Sequence, residues 1–283
     1  MSNKIYDPKR DILNTLSYKK IFNQPLSIYQ IIYYGHCFFM DLREVEESIS
    51  ELRKRNKIKY KNNKYFINNT KLKENENYYQ DSVEYFKKLE DLNYIFKGIP
   101  FIQMVGVTGT LASYHFNSET DDVDLFIICS RNRLWITRLI LVSIFKILNV
   151  YVNNRNPNLK ICPNLYISDH NLSWEIGKRN IYIANEIAMM QPIFQRNDTY
   201  FKFLSENKWI REYLPNININ DTLKNNNFDE LTVLDFIESF FMFVQKRAMK
   251  VRSGAEVLNK NFIHFLKTDH STRILDSFSK IKN

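Results

Sequence analysis

The chain has 283 residues, of which 44% are hydrophobic, and its 40 Lys and Arg residues against 31 Asp and Glu residues give a formal net charge of +9. This length is enough for a substantial core and predicts more than one domain, while the positive charge favours a nucleotide or nucleic-acid partner. The three Cys residues are scattered and form no C-x-x-C pair, which argues against a disulfide framework and a zinc site and indicates a cytoplasmic protein with reduced thiols.

Two further features argue against export and membrane insertion. The N-terminal residues MSNKIYDPKR lack the apolar region of a signal peptide. The most apolar segment, residues 134–152, carries Arg138 and Lys146 and is therefore predicted to be a buried or amphipathic helix. No membrane partner is expected.

Residues 1–70 are predicted to form a first domain of three helices and a hairpin. Helical spacing covers residues 11–22, 25–34 and 41–55, and short apolar runs at 58–60 and 65–67 flank a basic tip. This order resembles a winged-helix domain, which implies nucleic-acid contact through the third helix and the hairpin tip. That helix also carries Glu44, Glu46, Glu47 and Glu51, which would repel phosphates, so a protein-contact or substrate-positioning role is favoured.

Residues 100–130 contain the most informative pattern of the chain. A linking helix over residues 75–96 is predicted to precede it, and an apolar strand over 101–107 then breaks at Gly109-Thr110. After a polar link, Asp122-Val123-Asp124 leads into a second apolar strand, which places both carboxylates on one face because side chains alternate along a strand. Two like charges this close predict either a raised carboxyl pKa or a bound cation, and a divalent metal is the simplest partner, because oxygen ligands suit Mg²⁺.

These residues resemble the signature of the DNA polymerase β-type nucleotidyltransferase superfamily. The matching residues are Gly109-Thr110, an eleven-residue spacer and Asp122-x-Asp124 on an apolar strand, with Thr110 where Ser is usual. The resemblance implies an α/β (α+β) fold with a small mixed β-sheet core under a helical cover. It also implies Mg²⁺ (or Mn²⁺) held by Asp122 and Asp124, an NTP held through Gly109 and Thr110, and transfer of a nucleoside monophosphate to an acceptor. That acceptor, whether nucleic acid, protein or small molecule, is not specified by the sequence.

One departure from that family pattern affects the expected chemistry. The family often has a third carboxylate on the next strand, predicted at residues 161–168, but this strand carries Asn164 and no acid. Asn164 would then be a metal or water ligand, and Asp169 or Glu175 would supply the acid from a loop. The alternatives are a non-catalytic nucleotide-binding or regulatory protein, a winged-helix nucleic-acid-binding regulator, and a solvated strand end without function.

The helix after the carboxylate strand offers a phosphate partner. Arg131, Arg133 and Arg138 are candidates because a guanidinium pairs two phosphate oxygens, and Arg138 is favoured because it lies on an otherwise apolar helix face. The predicted core domain spans residues 71–170. Residues 171–283 are predicted to cover it with helices over 173–190, 200–213, 231–252 and 271–281 and a short strand over 262–266.

Overall fold

The computed structural model describes residues 7–36, 41–72, 77–152, 160–219, 234–248, 257–264 and 270–282. These residues form a mixed α/β structure with one six-stranded mixed sheet and one two-stranded sheet. The expectation of an α+β fold with a mixed sheet is confirmed at this level. Among the described residues, no helix is both long enough and apolar enough to cross a membrane.

The N-terminal residues form three helices and a hairpin, in the predicted order. The elements are α1 (Pro8–Lys20), α2 (Ile28–Tyr33), α3 (Leu42–Lys54), β1 (Ile58–Lys61) and β2 (Lys64–Ile67). The Asp7 carboxylate caps α1 by accepting from the Lys9 and Arg10 amides, and Ser27 and Gln30 form a capping box at the start of α2. These elements bury their own apolar cluster, formed by Ile12, Leu16, Leu26, Ile31, Val45, Ile49, Leu52 and Ile58.

The central part of the chain alternates helices and strands. The elements are α4 (Tyr78–Glu90), α5 (Asn93–Gly98), β3 (Ile102–Thr108), α6 (Gly109–Ala112), β4 (Val123–Cys129), α7 (Leu134–Ile147) and β5 (Ile161–Ser168). The linking segment, predicted as one helix over 75–96, is divided into α4 and α5. The division turns Ile95 and Phe96 of the second helix into the core, where both are buried.

The remaining residues add helices and three further strands. The elements are α8 (Ile181–Met189), β6 (Gln191–Gln195), α9 (Thr199–Glu206), α10 (Leu234–Ala248), β7 (Val257–Leu258), β8 (Phe262–His264) and α11 (His270–Lys282), with 3₁₀ turns at Ile176–Lys178 and Lys208–Glu212. The helix predicted over 173–190 begins at Ile181, because Asn180 caps it by accepting from the Ile183 amide. The helix predicted over 200–213 ends at Glu206. The parts of the predictions at 75–76, 231–233, 249–252 and 265–266 lie outside the described residues.

The six-stranded sheet has the order β6-β3-β4-β5-β8-β7. Strands β4 and β5 are parallel, and the other neighbouring pairs are antiparallel. One face packs on a cluster that includes Val107, Leu125 and Ile127, and the other face packs on a cluster that includes Phe126 and Ile128. Alternation along β4 places Asp124 on the second face, at the end where the strand begins.

The N-terminal helices contact the central sheet's helical cover directly. The Tyr33 hydroxyl donates to the Ala188 carbonyl at 3.3 Å, and the Asn216 amide donates to the Ile32 carbonyl at 2.7 Å. Residues of α11 also pack against α1, where Tyr18 contacts Phe278 with ring centroids 5.2 Å apart. The first helices therefore bury surface against α8 and α11.

Candidate active site

The turn between β3 and α6 brings Gly109 against Asp124. Thr108 at the end of β3 is paired with Asp124 on β4, so the next residue, Gly109, turns beside the carboxylate. Gly109 has a φ of +68°, and a Cβ atom placed there would lie 3.0 Å from Asp124 Oδ2. Both the left-handed backbone conformation and the close approach explain why glycine occupies this position.

Strand β5 places Asn164 on the other side of Asp124. The pairing of β4 with β5 is irregular between Leu125 and Phe126, and Asn164 lies at this irregularity. Its Nδ2 atom donates to Asp124 Oδ1 at 2.8 Å. The Asp124 carboxylate is therefore held between the Gly109 backbone and the Asn164 amide.

A cavity of ≈ 830 Å³ contains most of the site residues that the sequence predicts. Gly109, Thr110, Asp122, Asp124 and Asn164 all line it. Its apolar wall is contributed by both the sheet and the helical cover, through Phe126, Leu165, Trp174, Ile187, Met190 and Phe262. The cavity combines a cluster of polar groups with an apolar surface, as ligand sites commonly do.

Arg138 is placed elsewhere, at the contact between α7 and α10. Its Nη1 atom donates to Gln245 Oε1 at 2.6 Å, and Arg138 is not among the residues that line the cavity. Arg133 likewise pairs with Asp235 of α10 at 2.6 Å. Two of the three arginines that the sequence offered as phosphate partners thus bind α10, and the third, Arg131, does not line the cavity either.

The two loop acids considered as replacements for a third carboxylate do not line the cavity either. Asp169 follows the far end of β5, where its amide donates to the Cys129 carbonyl, and burial raises its pKa. Glu175 pairs with Lys178 at 2.6 Å and its side chain is 67% exposed. Neither residue is brought to Asp124.

Glu186 of α8 is an acid that the sequence analysis did not identify. It lines the cavity together with Gly109, and its helix α8 packs against α6, which begins at Gly109. Burial raises the pKa of Glu186 to about 7, although Lys19 and the Gly109 N–H act in the opposite direction. A sequence signal does exist, since Glu186 is the one charged residue in the helix segment IYIANEIAM.

Lys19 of α1 is the cationic neighbour of Glu186. It is 1% exposed, its Nζ atom lies 3.2 Å from Met189 Sδ, and the same atom lies 4.0 Å from the centroid of the Tyr34 ring. Burial lowers the pKa of Lys19 to about 7, and the negative charge of Glu186 partly offsets that effect. The electrostatic interaction of Lys19 with Glu186 thus connects the first helix to the cavity.

Asp122 and Asp124, the metal ligands that the sequence predicts, line the cavity together with two further acids, Asp121 and Glu186. Among the described residues, no group of three or more His, Cys, Asp or Glu side chains is arranged to hold a metal ion. A pair of carboxylates fits Mg²⁺ that keeps several waters and takes its other ligands from a phosphate chain. Because two carboxylates are fewer ligands than such an ion takes, an ion here would need waters or another molecule as further ligands.

The geometry of the site is the basis for its interpretation, because no similar protein was found. Comparisons with family models, with curated proteins and with solved structures found no match to this chain.

Proposed function

We propose that this protein is a metal-dependent nucleotidyltransferase that moves a nucleoside monophosphate from an NTP to an acceptor and releases pyrophosphate. The observation that carries the proposal is the meeting of Gly109, Asp124 and Asn164 in one cavity that Thr110 and Asp122 also line. A solvated strand end would not require a glycine turn against its carboxylate or an amide donor on the neighbouring strand. The cavity is also large enough for a nucleotide.

Each polar residue has a role in this proposal. Asp122 and Asp124 hold Mg²⁺ or Mn²⁺, which when bound neutralises charge on the triphosphate. Gly109 lets the backbone approach the phosphates, and Thr110 offers them its hydroxyl. Asn164 fixes the orientation of the Asp124 carboxylate through its hydrogen bond. The apolar wall of the cavity holds the nucleoside and excludes water.

The N-terminal helices and hairpin are proposed to be a winged-helix-like module that positions the acceptor. Phe22 and Gln24, which follow α1, line the same cavity as the carboxylates, and the Gln24 amide donates to the Ser113 carbonyl at 3.3 Å. A module that reaches the cavity can orient whatever enters it. This arrangement favours substrate positioning over a role as an independent nucleic-acid-binding regulator.

The test is transfer of label from each α-labelled NTP, with Mg²⁺ or Mn²⁺, to components of a cell extract. We expect a labelled product with the wild type and its loss in Asp122→Asn and Asp124→Asn. Asp91→Asn, which changes an exposed acid at the end of α4, is the matched control and should keep transfer. Equal labelling by the wild type and both site variants would contradict the proposal.

A second function, nucleotide binding without turnover, is favoured by one observation. Strand β5, on which the resemblance implies an acid, carries Asn164 and no acid, and Asn164 serves Asp124 as a hydrogen-bond donor. A protein of this kind would bind an NTP with Mg²⁺ through Asp122 and Asp124 and transfer nothing. Binding that is lost in Asp124→Asn, together with no labelled product from any extract, would identify this second function.

A further inference from the structure

Helix α10 exposes a row of large apolar side chains, although its other face already packs on the protein. Phe236, Phe240 and Phe243 are 82%, 60% and 66% exposed, and Ile237 and Val244 are exposed beside them. These five residues are called the apolar row below. The opposite face of α10 packs on the core and is hydrogen-bonded to α7, so the apolar row is not needed to hold the helix in place.

The apolar row carries no exposed charge. The one charged residue between positions 236 and 244 is Glu238, which is buried and accepts from two backbone amides of α7. A contiguous apolar surface of this kind marks an interaction site on a folded protein. A helix that lies in a lipid surface exposes Lys and Arg on its opposite face. In α10 that face holds Asp235, Glu238 and Gln245 in contacts with residues 133–136, so a protein partner is favoured.

The apolar row is symmetric about Phe240. Ile237 and Phe243 lie three positions before and after it, and Phe236 and Val244 lie four positions before and after it. Positions three and four apart share one face of a helix. A row that is symmetric about its centre can match a copy of itself across a two-fold axis, as an interface between identical chains requires.

We propose that α10 pairs with α10 of a second copy of this chain, antiparallel and across a two-fold axis at Phe240. The axis places Phe240 against its own copy. It also places Phe236 opposite the partner's Val244, and Ile237 opposite the partner's Phe243, so that each larger side chain meets a smaller one. The inference does not depend on the proposed function, because no residue of the apolar row lines the cavity.

The area of the apolar row is close to what a stable dimer needs. A phenylalanine buries about 150–250 Å² when it is covered, so the exposed parts of the three phenylalanines would together bury roughly 800 Å² over two copies. Ile237, Val244 and the surface beside them bring the interface to the lower end of the ~1,200–2,000 Å² that specific complexes bury. An interface of this size predicts a dissociation constant in the micromolar range.

The experiment measures the mass of the full chain by sedimentation equilibrium at concentrations from about 1 to about 100 μM. We expect the mass of the wild type to rise to twice 34.0 kDa. Phe240→Glu should stay at 34.0 kDa, because the axis brings two carboxylates together and weakens the dimer by at least about a hundredfold. Tyr29→Glu, at a tyrosine of α2 that is 72% exposed, is the matched control and should dimerise as the wild type does.

A mixture of Phe240→Glu and Phe240→Lys tests the position of the axis. Each variant alone should be monomeric, because like charges meet at Phe240. The equimolar mixture should recover a mass of twice 34.0 kDa, because the axis then brings opposite charges together. Recovery of the dimer would also show that both variants are folded.

Three outcomes would overturn the proposal. A wild type that stays at 34.0 kDa up to about 100 μM would exclude the dimer, and binding of that monomer, but not of Phe240→Glu, to phosphatidylserine vesicles would assign the apolar row to a lipid surface. A dimer that persists in Phe240→Glu would place the interface on another surface. Loss of the dimer in both Phe240 variants without recovery on mixing would exclude a two-fold axis at this residue.

Discussion

The Asn164 Nδ2 atom donates a 2.8 Å hydrogen bond to Asp124 Oδ1, and this contact gives Asp124 a neutral neighbour on strand β5. An acid at the same position would add a second negative charge within hydrogen-bond distance of the first. The amide instead stabilises the carboxylate without a cation. The metal-free protein can therefore keep the site formed, while an acid would make it depend on a bound ion.

Replacing Asn164 by Asp should make the stability of the protein depend on divalent cations. Without metal, the repulsion between the new carboxylate and Asp124 should lower the free energy of unfolding by about 1–3 kcal/mol. Added Mg²⁺ or Mn²⁺ should restore it, because the ion binds the native state alone. Thermal melts with and without Mn²⁺ measure the effect, and Asn164→Ala is the control that removes the amide without adding charge. If Mn²⁺ did not change the melting temperature of Asn164→Asp, metal binding at Asp124 and the new carboxylate would be contradicted.

Gly109→Ala should lower the stability of the protein. The φ of +68° and the 3.0 Å approach of a Cβ atom to Asp124 Oδ2 predict a loss of about 1–3 kcal/mol in the free energy of unfolding. Gly98→Ala is the matched control, since nothing lies within 4 Å of a Cβ atom there. Its stability should be unchanged or raised by up to about 1 kcal/mol. Chemical denaturation of both variants checks this, and equal effects would mean that the Gly109 turn carries no special constraint.

Glu186→Gln should change the dependence of stability on pH. Because the pKa of Glu186 is raised from 4.5 in the unfolded chain to about 7 in the folded protein, the contribution of this group to stability is present at acidic pH and is lost as the pH rises through about 7. Removing the charge should therefore stabilise the variant relative to the wild type by about 1–3 kcal/mol at about pH 8 and by little at about pH 5. Denaturation curves at the two pH values measure the difference. A constant difference between the two proteins would show that Glu186 titrates at its ordinary pKa.

Glu238→Gln should destabilise the contact between α7 and α10. Glu238 is 1% exposed, and its two oxygens accept from the backbone amides of Trp135 at 2.6 Å and Ile136 at 3.0 Å. A Gln side chain offers one oxygen, so one buried N–H would lose its acceptor at a cost of about 1–3 kcal/mol. The neighbouring Ser239→Ala removes an exposed hydroxyl and should stay within about 0.5 kcal/mol of the wild type. Similar unfolding midpoints for the two variants would contradict the role of Glu238 as the acceptor for these two backbone amides.

The part of the site that the sequence predicts is the part formed by local geometry. Alternation along β4 fixes the face of Asp124, and the glycine turn directly after β3 brings Gly109 to it through one antiparallel pairing. Asn164 follows because β5 is the next strand along the chain and pairs with β4. These relationships need only strand periodicity and the order of the elements.

The features that the sequence did not predict depend on contacts between distant segments. Glu186 reaches the Gly109 turn because α8 packs over the sheet, and nothing in the local spacing encodes that contact. Arg138 lies on an apolar helix face as predicted, but its partner is Gln245, 107 residues later. Strand β6 was missed because its five residues include Pro192, and proline within a strand indicates an edge position, which β6 occupies.

The contact of Lys19 with Met189 has a consequence for how this chain can be divided or recombined. Lys19 of the first helix is buried near Glu186 of the cavity, and the ring of Tyr34 covers the Lys19 Nζ atom. Deleting or exchanging residues 1–70 would open the Glu186 carboxylate to solvent and alter the charge next to the Gly109 turn. The N-terminal elements are thus not interchangeable with those of another protein, and a chimaera that joins the six-stranded sheet and its helices to a foreign module would have to supply an equivalent lysine.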